Sequence, residues 1–264
     1  MTEGLVSVIM PTFNSSRFLA KSIESILNQT YTHFELLVAD DCSSDKDTID
    51  ILNSFAQKDN RVRILFLDSN GGPGIARNAA IEKAEGQYIA FCDSDDRWMP
   101  NKLEVQIEAM KKGGYALCCS SYIICDDDDN AIGINIAPSK ITYRMMKCDN
   151  KVGCLTAIYD IKALGQKVFM PTIRKRQDWA LFLHITSRCK VALGIKEPLA
   201  YYRKRTNSVS SNKLALVKYN VAIYRKYLHF SWVKSLGYFA FCFLPTYSVK
   251  VLKQKIDSYH YINK

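Results

Sequence analysis

Short apolar runs that stop at polar turns alternate along this chain with stretches in which apolar residues recur every three or four positions. Val6 to Met10 is such a run, closed by Pro11, and Ser15 to Gln29 sets Phe18, Leu19, Ile23, Ile26 and Leu27 at helical spacing. The pair is then repeated. Phe34 to Ala39 predicts a second strand that stops at Asp40 and Asp41, Asp45 to Gln57 a helix, and Val62 to Leu67 a third strand. The glycine-rich stretch NGGPGIARNAAIEKAEG (70–86) predicts a turn and a helix, and Tyr88 to Cys92 a fourth strand.

Apolar strands separated by amphipathic helices imply an α/β domain. Its sheet is mostly parallel and covered on both faces, and its ligands sit beyond the carboxyl ends of the strands. After Pro100 the pattern gives a helix to about Lys112. A strand pair follows, Tyr115 to Cys125 and Ala131 to Ile136, bridged by the acidic turn DDDDN. From Ser139 the periodicity is lost until a helix near Arg176 to Ser187 and a strand over Val191 to Tyr202. Residues 1–212 therefore read as one domain. Residues to about 110 form a nucleotide half and 111–212 an acceptor half.

From about residue 213 to 264 the composition shifts to alternating Tyr, Phe, Trp, Lys and Arg, predicting a basic, aromatic helical appendage. Such a helix pair either lies on an anionic membrane surface or packs its apolar stripe on the domain. The longest apolar run, Leu236 to Pro245, falls short of the roughly twenty residues that a spanning helix needs, so no transmembrane segment is expected. The amino terminus lacks the basic-then-apolar pattern of a secretory leader.

Composition narrows the partners without choosing among them. A net charge of +10 on 264 residues draws polyanions in general: nucleic acid, anionic lipid or phosphorylated small molecules. Nine cysteines, with no C-x-x-C and no histidine at zinc spacing, read as reduced thiols in a cytoplasmic protein.

Against that basic background the carboxylates at the strand ends stand out. FCDSDDRWMP (91–100) sets Asp93 and Asp95 one residue apart, on the same side of an extended chain. They suit a hard cation, Mg2+ or Mn2+, or else form a polar turn ahead of the next helix. Asp40 and Asp41 end another strand, suited to a base or ribose hydroxyl or to capping the following helix. Asn70 to Gly74 with Arg77 offers backbone N–H groups and a cation for an anion.

In this order, VSVIMPTFN (6–14), LLVADDCSSD (36–45), NGGPGIARN (70–78), GQYIAFCDSDD (86–96) and RQDWALFLHI (176–185) resemble the family 2 inverting glycosyltransferases of GT-A fold. The likeness covers roughly residues 5–205 and is nearest to bacterial enzymes of surface-polysaccharide synthesis. It implies a Rossmann-like mixed sheet and metal-dependent transfer from a nucleotide sugar, a UDP-sugar, to a glycan or polyprenyl-diphosphate-linked acceptor. It also implies a place in the cytoplasm or on the inner face of the cytoplasmic membrane.

By position, the resemblance makes Pro11, Thr12 and Phe13 the loop that lines the base, with Asp41 as its hydrogen-bond partner. Arg77 lies on the donor side, Asp93 near ribose and metal, Asp95 on the metal, and Asp178 is the catalytic base. Arg203, with Arg205 and Ser208, matches a segment that closes over the diphosphate. One departure stands beside the base, where Gln177 replaces the family's usual acid, next to the cations Arg174, Lys175 and Arg176. Two other functions remain open on the residues alone, a sugar-phosphate nucleotidyltransferase and a non-catalytic polyanion binder. The first lacks its long glycine- and arginine-containing loop after the first strand. The second leaves the acidic strand ends without a purpose, and no nucleic-acid motif is present.

Overall fold

The computed structural model describes residues 1–173, 175–205 and 213–263. Strands and helices alternate as β1 (Thr2–Thr12), α1 (Ser16–Leu27), β2 (Phe34–Asp40), α2 (Lys46–Lys58), β3 (Val62–Phe66), α3 (Pro73–Lys83) and β4 (Gly86–Phe91). Next come β5 (Arg97–Trp98), α4 (Lys102–Gly113), the hairpin β6 (Leu117–Cys125) and β7 (Ala131–Asn135), β8 (Lys140–Thr142), α5 (Tyr143–Cys148), β9 (Ile158–Asp160) and α6 (Ile161–Leu164). The strand–helix pattern ends with α7 (Gln177–Cys189) and β10 (Val191–Arg203). Beyond it lie α8 (Lys213–Ala222), α9 (Trp232–Tyr238) and α10 (Leu244–Ile262), with π-helical turns over Ile223–Tyr227 and Phe239–Phe243.

The strands form one mixed sheet in the order β3-β2-β1-β4-β9-β6-β10-β5, with β7 added beside β6 and β8 beside β10. The first four strands are mutually parallel, and β9 runs antiparallel to both β4 and β6. All seven residues of β2 are buried because both sheet faces are covered. Alternate residues divide between the two faces. Ile9, Leu37, Ile89 and Phe91 pack toward α3 and α7, whereas Val8, Leu36, Val38 and Ala90 pack toward α1, α2 and α4. Parallel pairing brings the carboxyl ends of β1, β2 and β4 to one edge, which gathers Pro11–Phe13, Asp41 and Asp93.

The aperiodic stretch after Ser139 contains β8, α5, β9 and α6, each only three to six residues long. Elements that short show no period, yet β9 sits mid-sheet with Ile158 and Tyr159 buried. Side-chain caps substitute for length: the Thr142 hydroxyl accepts from the Met145 N–H, and the Asp160 carboxylate from the Lys162 and Ala163 N–H groups.

The C-terminal region packs one stripe on the domain and leaves another exposed. Its inner stripe joins the core, with Tyr224 and Phe243 buried against Trp179 at ring-centroid distances of 6.0 and 5.7 Å. Its outer stripe, including Trp232, Phe241, Val249 and Leu252, is exposed. Contrary to the sequence expectation, Trp232–Ile262 is one helical run of 31 residues, long and apolar enough by length and composition to cross a membrane. Pro245 does not break that run: it directly follows the π-helical turn Phe239–Phe243, where the regular i→i−4 ladder is already interrupted.

Candidate active site

A crevice of about 1470 Å³ opens at the gathered strand ends. It is lined by Pro11, Thr12, Phe13, Asp41, Arg77, Asp93, Asp95, Asp178, Arg203 and Arg205, together with residues from 135–154 and from α10. Sequence-predicted positions from both halves of the chain thus meet in one place. Arg174 and Ser208 lie outside the described residues.

On the donor side, Asp41 accepts hydrogen bonds from the Gly71 and Gly72 N–H groups at 2.9 and 2.7 Å. The carboxylate therefore holds the glycine loop, with further lone pairs left for a ligand. Gly72 itself has a φ of +87°, where a side chain would be strained. Asp40 turns away into the Ser43 turn, accepting from the Ser43 backbone N–H and hydroxyl. The Thr12 hydroxyl, in the crevice lining, is buried and has no hydrogen-bond partner among the described residues.

Arg77 is buried and ion-paired with Asp93. Burial opposes its charge, but Asp93 and, farther off, Asp178 outweigh that cost and keep the guanidinium protonated. Asp95 lies 3.4 Å from Arg205. Burial first, and the neighbouring charge of Asp93 second, push its pKa up, against the pull of Arg205. Asp96 is also pushed up by burial and accepts the Arg203 backbone N–H at 2.9 Å, so it anchors the loop from below.

The structure departs from expectation at Arg203. Its guanidinium is buried and donates to the backbone carbonyls of Asp95, Asp126 and Asp127, and it pairs with Asp129. Those contacts fasten the acidic turn to the 93–96 loop and leave little reach toward a phosphate. Arg205, at 45% exposure, also lines the crevice and is the less buried of the two arginines.

Asp178 stands in the first turn of α7, after Arg176 in the left-handed conformation (φ 68°). The Asn150 side-chain amide donates to its Oδ2 at 2.8 Å. Arg176, expected beside the carboxylate, instead donates to Asn220 of α8 at 2.9 Å. Gln177 packs on the glycine stretch, where a Cβ at Gly74 would fall 2.3 Å from its Nε2. Gln177 therefore brings the start of α3 into contact with the first turn of α7, beside Asp178. Asn150, Lys151 and Cys154 were not foreseen, since CDNKVGC carries no recognisable motif.

Known proteins converge on the same conclusion. The sequence model of glycosyl transferase family 2 matches residues 7–170. This chain belongs to glycosyl transferase family 2. It is 36% identical over 255 residues to TuaG of Bacillus subtilis, a glycosyltransferase associated with teichuronic acid biosynthesis, covering 96% of this chain and 98% of that one. It is 37% identical over 219 residues to WfgD of Escherichia coli, covering 83% and 84% of the two chains. WfgD is a UDP-Glc:alpha-D-GlcNAc-diphosphoundecaprenol beta-1,3-glucosyltransferase. Among solved structures, Staphylococcus aureus TarS with UDP-GlcNAc superposes with a TM-score of 0.66 at 21% identity, over 89% of this chain and 73% of that one. The mannosyltransferase PcManGT of Pyrobaculum calidifontis, with GDP-Man and Mn2+, gives 0.64 at 15% identity over 94% and 74%. The family 2 chain is therefore a glycosyltransferase of GT-A fold, and the nucleotidyltransferase and polyanion-binder alternatives are set aside.

Proposed function

We propose that this glycosyltransferase moves a hexose from a UDP-sugar, with inversion, to a saccharide carried on a polyprenyl diphosphate. The observation that carries the proposal is the assembly of the 93–96 acids and Asp178 in one crevice, both within electrostatic reach of Arg77. A UDP-sugar donor and a lipid-diphosphate acceptor are the substrates in the name of WfgD, and TarS binds UDP-GlcNAc on the same fold.

Among the described residues no set of three His, Cys, Asp or Glu forms a ready metal cage. Mg2+ and Mn2+ take few carboxylates from a protein and complete their shell with water and substrate phosphates, so Asp95 with Asp93 fits such an ion. The fit rests on Asp95, whose charge is strained by burial and by Asp93 and is met by the partly exposed Arg205. A divalent ion held there would supply positive charge to the diphosphate as the sugar–phosphate bond breaks. Thr12 and the glycine loop shaped by Asp41 hold the nucleotide. Asp178 takes the proton of the acceptor hydroxyl as that oxygen attacks the anomeric carbon from the face opposite the diphosphate.

For the acceptor, the exposed stripe of α9 and α10 supports seating on an anionic bilayer at the inner membrane face. Lys234, Lys253 and Lys255 accompany it at headgroup level. A spanning arrangement would break the contacts that Lys250 and Ser258 make with the catalytic domain and would bury Lys250, Lys253, Lys255 and Asp257 in hydrocarbon.

A screen of nucleotide sugars with Mn2+, read by UDP release, tests class and donor together. Asp95→Ala is expected to abolish Mn2+-dependent UDP binding. Asp178→Asn is expected to keep UDP binding and lose about a thousandfold in turnover. Parental turnover in Asp178→Asn removes the base assignment, and unchanged Mn2+-dependent affinity in Asp95→Ala removes the metal assignment.

A further inference from the structure

From the hydrogen bonds around Asp178 we infer that Asn150 is a positioning residue for this carboxylate and that Lys250 of the C-terminal helix holds Asn150 in place. The inference rests on Asp178 being the base, as proposed above. The Asn150 Nδ2 donates to Asp178 Oδ2 at 2.8 Å, and its Oδ1 accepts the Val152 N–H at 3.1 Å. These two bonds need opposite ends of the amide, so its orientation is determined by its partners. Oδ2 of Asp178 is thereby engaged. Among the described residues Oδ1 has no hydrogen-bond donor, and it is the oxygen left to receive a proton.

The segment that carries Asn150 is clamped from the C-terminal region. The Lys250 ammonium donates to the Asn150 carbonyl at 2.8 Å and pairs with Asp149 at 3.0 Å. Asp149 is buried and also pairs with Lys151 at 3.1 Å, so the loop keeps a compensated charge under it. One turn earlier the Tyr224 hydroxyl donates to the Lys147 carbonyl at 2.9 Å, and the indole N–H of Trp179, the residue after Asp178, donates to the Met146 carbonyl at 2.7 Å. Segment 146–150 is therefore held by three side chains, two from beyond residue 213 and one beside the base. An effective base needs its acceptor oxygen placed to within a fraction of an ångström, and a loop of two or three short turns does not supply that stiffness alone. In this enzyme the C-terminal helices thus serve catalysis as well as packing.

The discriminating variant is Asn150→Asp. It keeps the Oδ1 acceptor for Val152 and so preserves the loop, but it replaces the amide donor with a second negative charge facing Asp178. Steady-state kinetics on the full chain would use UDP-glucose with GlcNAc-diphosphoundecaprenol, and release of UDP to water where that acceptor is not taken. The expected result is a fall in kcat of about thirtyfold with the donor KM and the melting temperature unchanged. Asn150→Ala should fall in the same direction. Lys250→Met is expected to lose about fivefold in kcat at constant donor KM, and Lys250→Arg to restore it.

If Asp178→Asn is inert while Asn150→Asp turns over within twofold of the parent, the base stands and the positioning role is overturned. If Asp178→Asn itself turns over normally, the base reading has failed first. Should the Asn150 variants melt well below the parent, the Lys250 pair decides, and parental kcat in Lys250→Met overturns the inference.

Discussion

Lys102 shows how a single residue is set against its surroundings. It is fully buried, its ammonium lies 3.8 Å from the centroid of the Trp98 ring, and it has no hydrogen-bond partner among the described residues. Burial pushes its pKa down to about 7, with Cys92, Cys118 and Cys119 pulling weakly the other way. Those thiols are pushed up by burial themselves and stay neutral near pH 7, so the ring face is the main group favouring the cation. Between about 7 and the unfolded value of about 10.4 the unfolded chain binds a proton that the folded chain does not. The contribution of Lys102 to stability therefore rises with pH across that window and is at its least favourable, and level, below it. Lys102→Met is expected to raise the melting temperature at pH 6.5 by several degrees and by much less at pH 10, measured by circular dichroism. A lower melting temperature at both values would mean that the ring contact outweighs the burial of the charge.

At the scale of elements, the turn between β6 and β7 reads in sequence as four solvated aspartates. In the fold it is the counter-charge for a basic cluster. Asp127 pairs with Arg17 at 2.9 Å, and Asp129 pairs with Lys21 at 2.9 Å, with Arg97 at 3.0 Å and with the buried Arg203. Burial works against the Asp129 charge, yet Lys21, Arg203 and Arg97 outweigh it and hold the carboxyl below the usual range. The hairpin, α1, β5 and the end of β10 are joined through this one turn, which is also the floor of the 93–96 loop. Asp129→Asn leaves the Arg203 guanidinium short of a counter-charge and is expected to cost about 3 kcal/mol in urea unfolding. Arg17→Ala, which removes the exposed pair with Asp127 and a cation–π contact with Phe18 at 4.7 Å, is expected to stay within about 1 kcal/mol of the parent. Equal effects of the two would show that the turn contributes only at the surface.

At the scale of the whole molecule, the C-terminal helices join three tasks: they bury Trp179, clamp the loop beside Asp178, and carry an exposed apolar stripe that meets the crevice lining at Val249. Removing them would also unpack the core at Tyr224 and Phe243, so deletion is a poor test of membrane binding. Exposed positions are the better probe. A triple variant, Phe241→Ser, Val249→Ser and Leu252→Ser, is expected to float less with phosphatidylglycerol vesicles than the parent and to melt at the same temperature, since none of the three is in the core. Equal flotation would remove the bilayer from the proposal.

The parallel half of the sheet, the acids at the ends of β2 and β4 and the carboxylate opening α7 were all legible in the chain. The sheet and the strand-end acids depend on a local rule, period two or 3.6 for the elements and a polar break where a strand meets solvent, whereas Asp178 was singled out by the family resemblance. Even the β6–β7 hairpin followed from its acidic turn. What only the tertiary structure decided involves partners far apart in sequence. Arg203 pairs with Asp129 across 74 residues and is drawn under the site, Asn150 meets Asp178 across 28, and Lys250 reaches Asn150 across 100. No spacing within a segment encodes such contacts, because they arise when separate elements compete for one buried volume and each polar group must find a partner there. The alternation of strands and helices sets which end of the sheet is open, and packing selects which of the charged groups near that opening point into it.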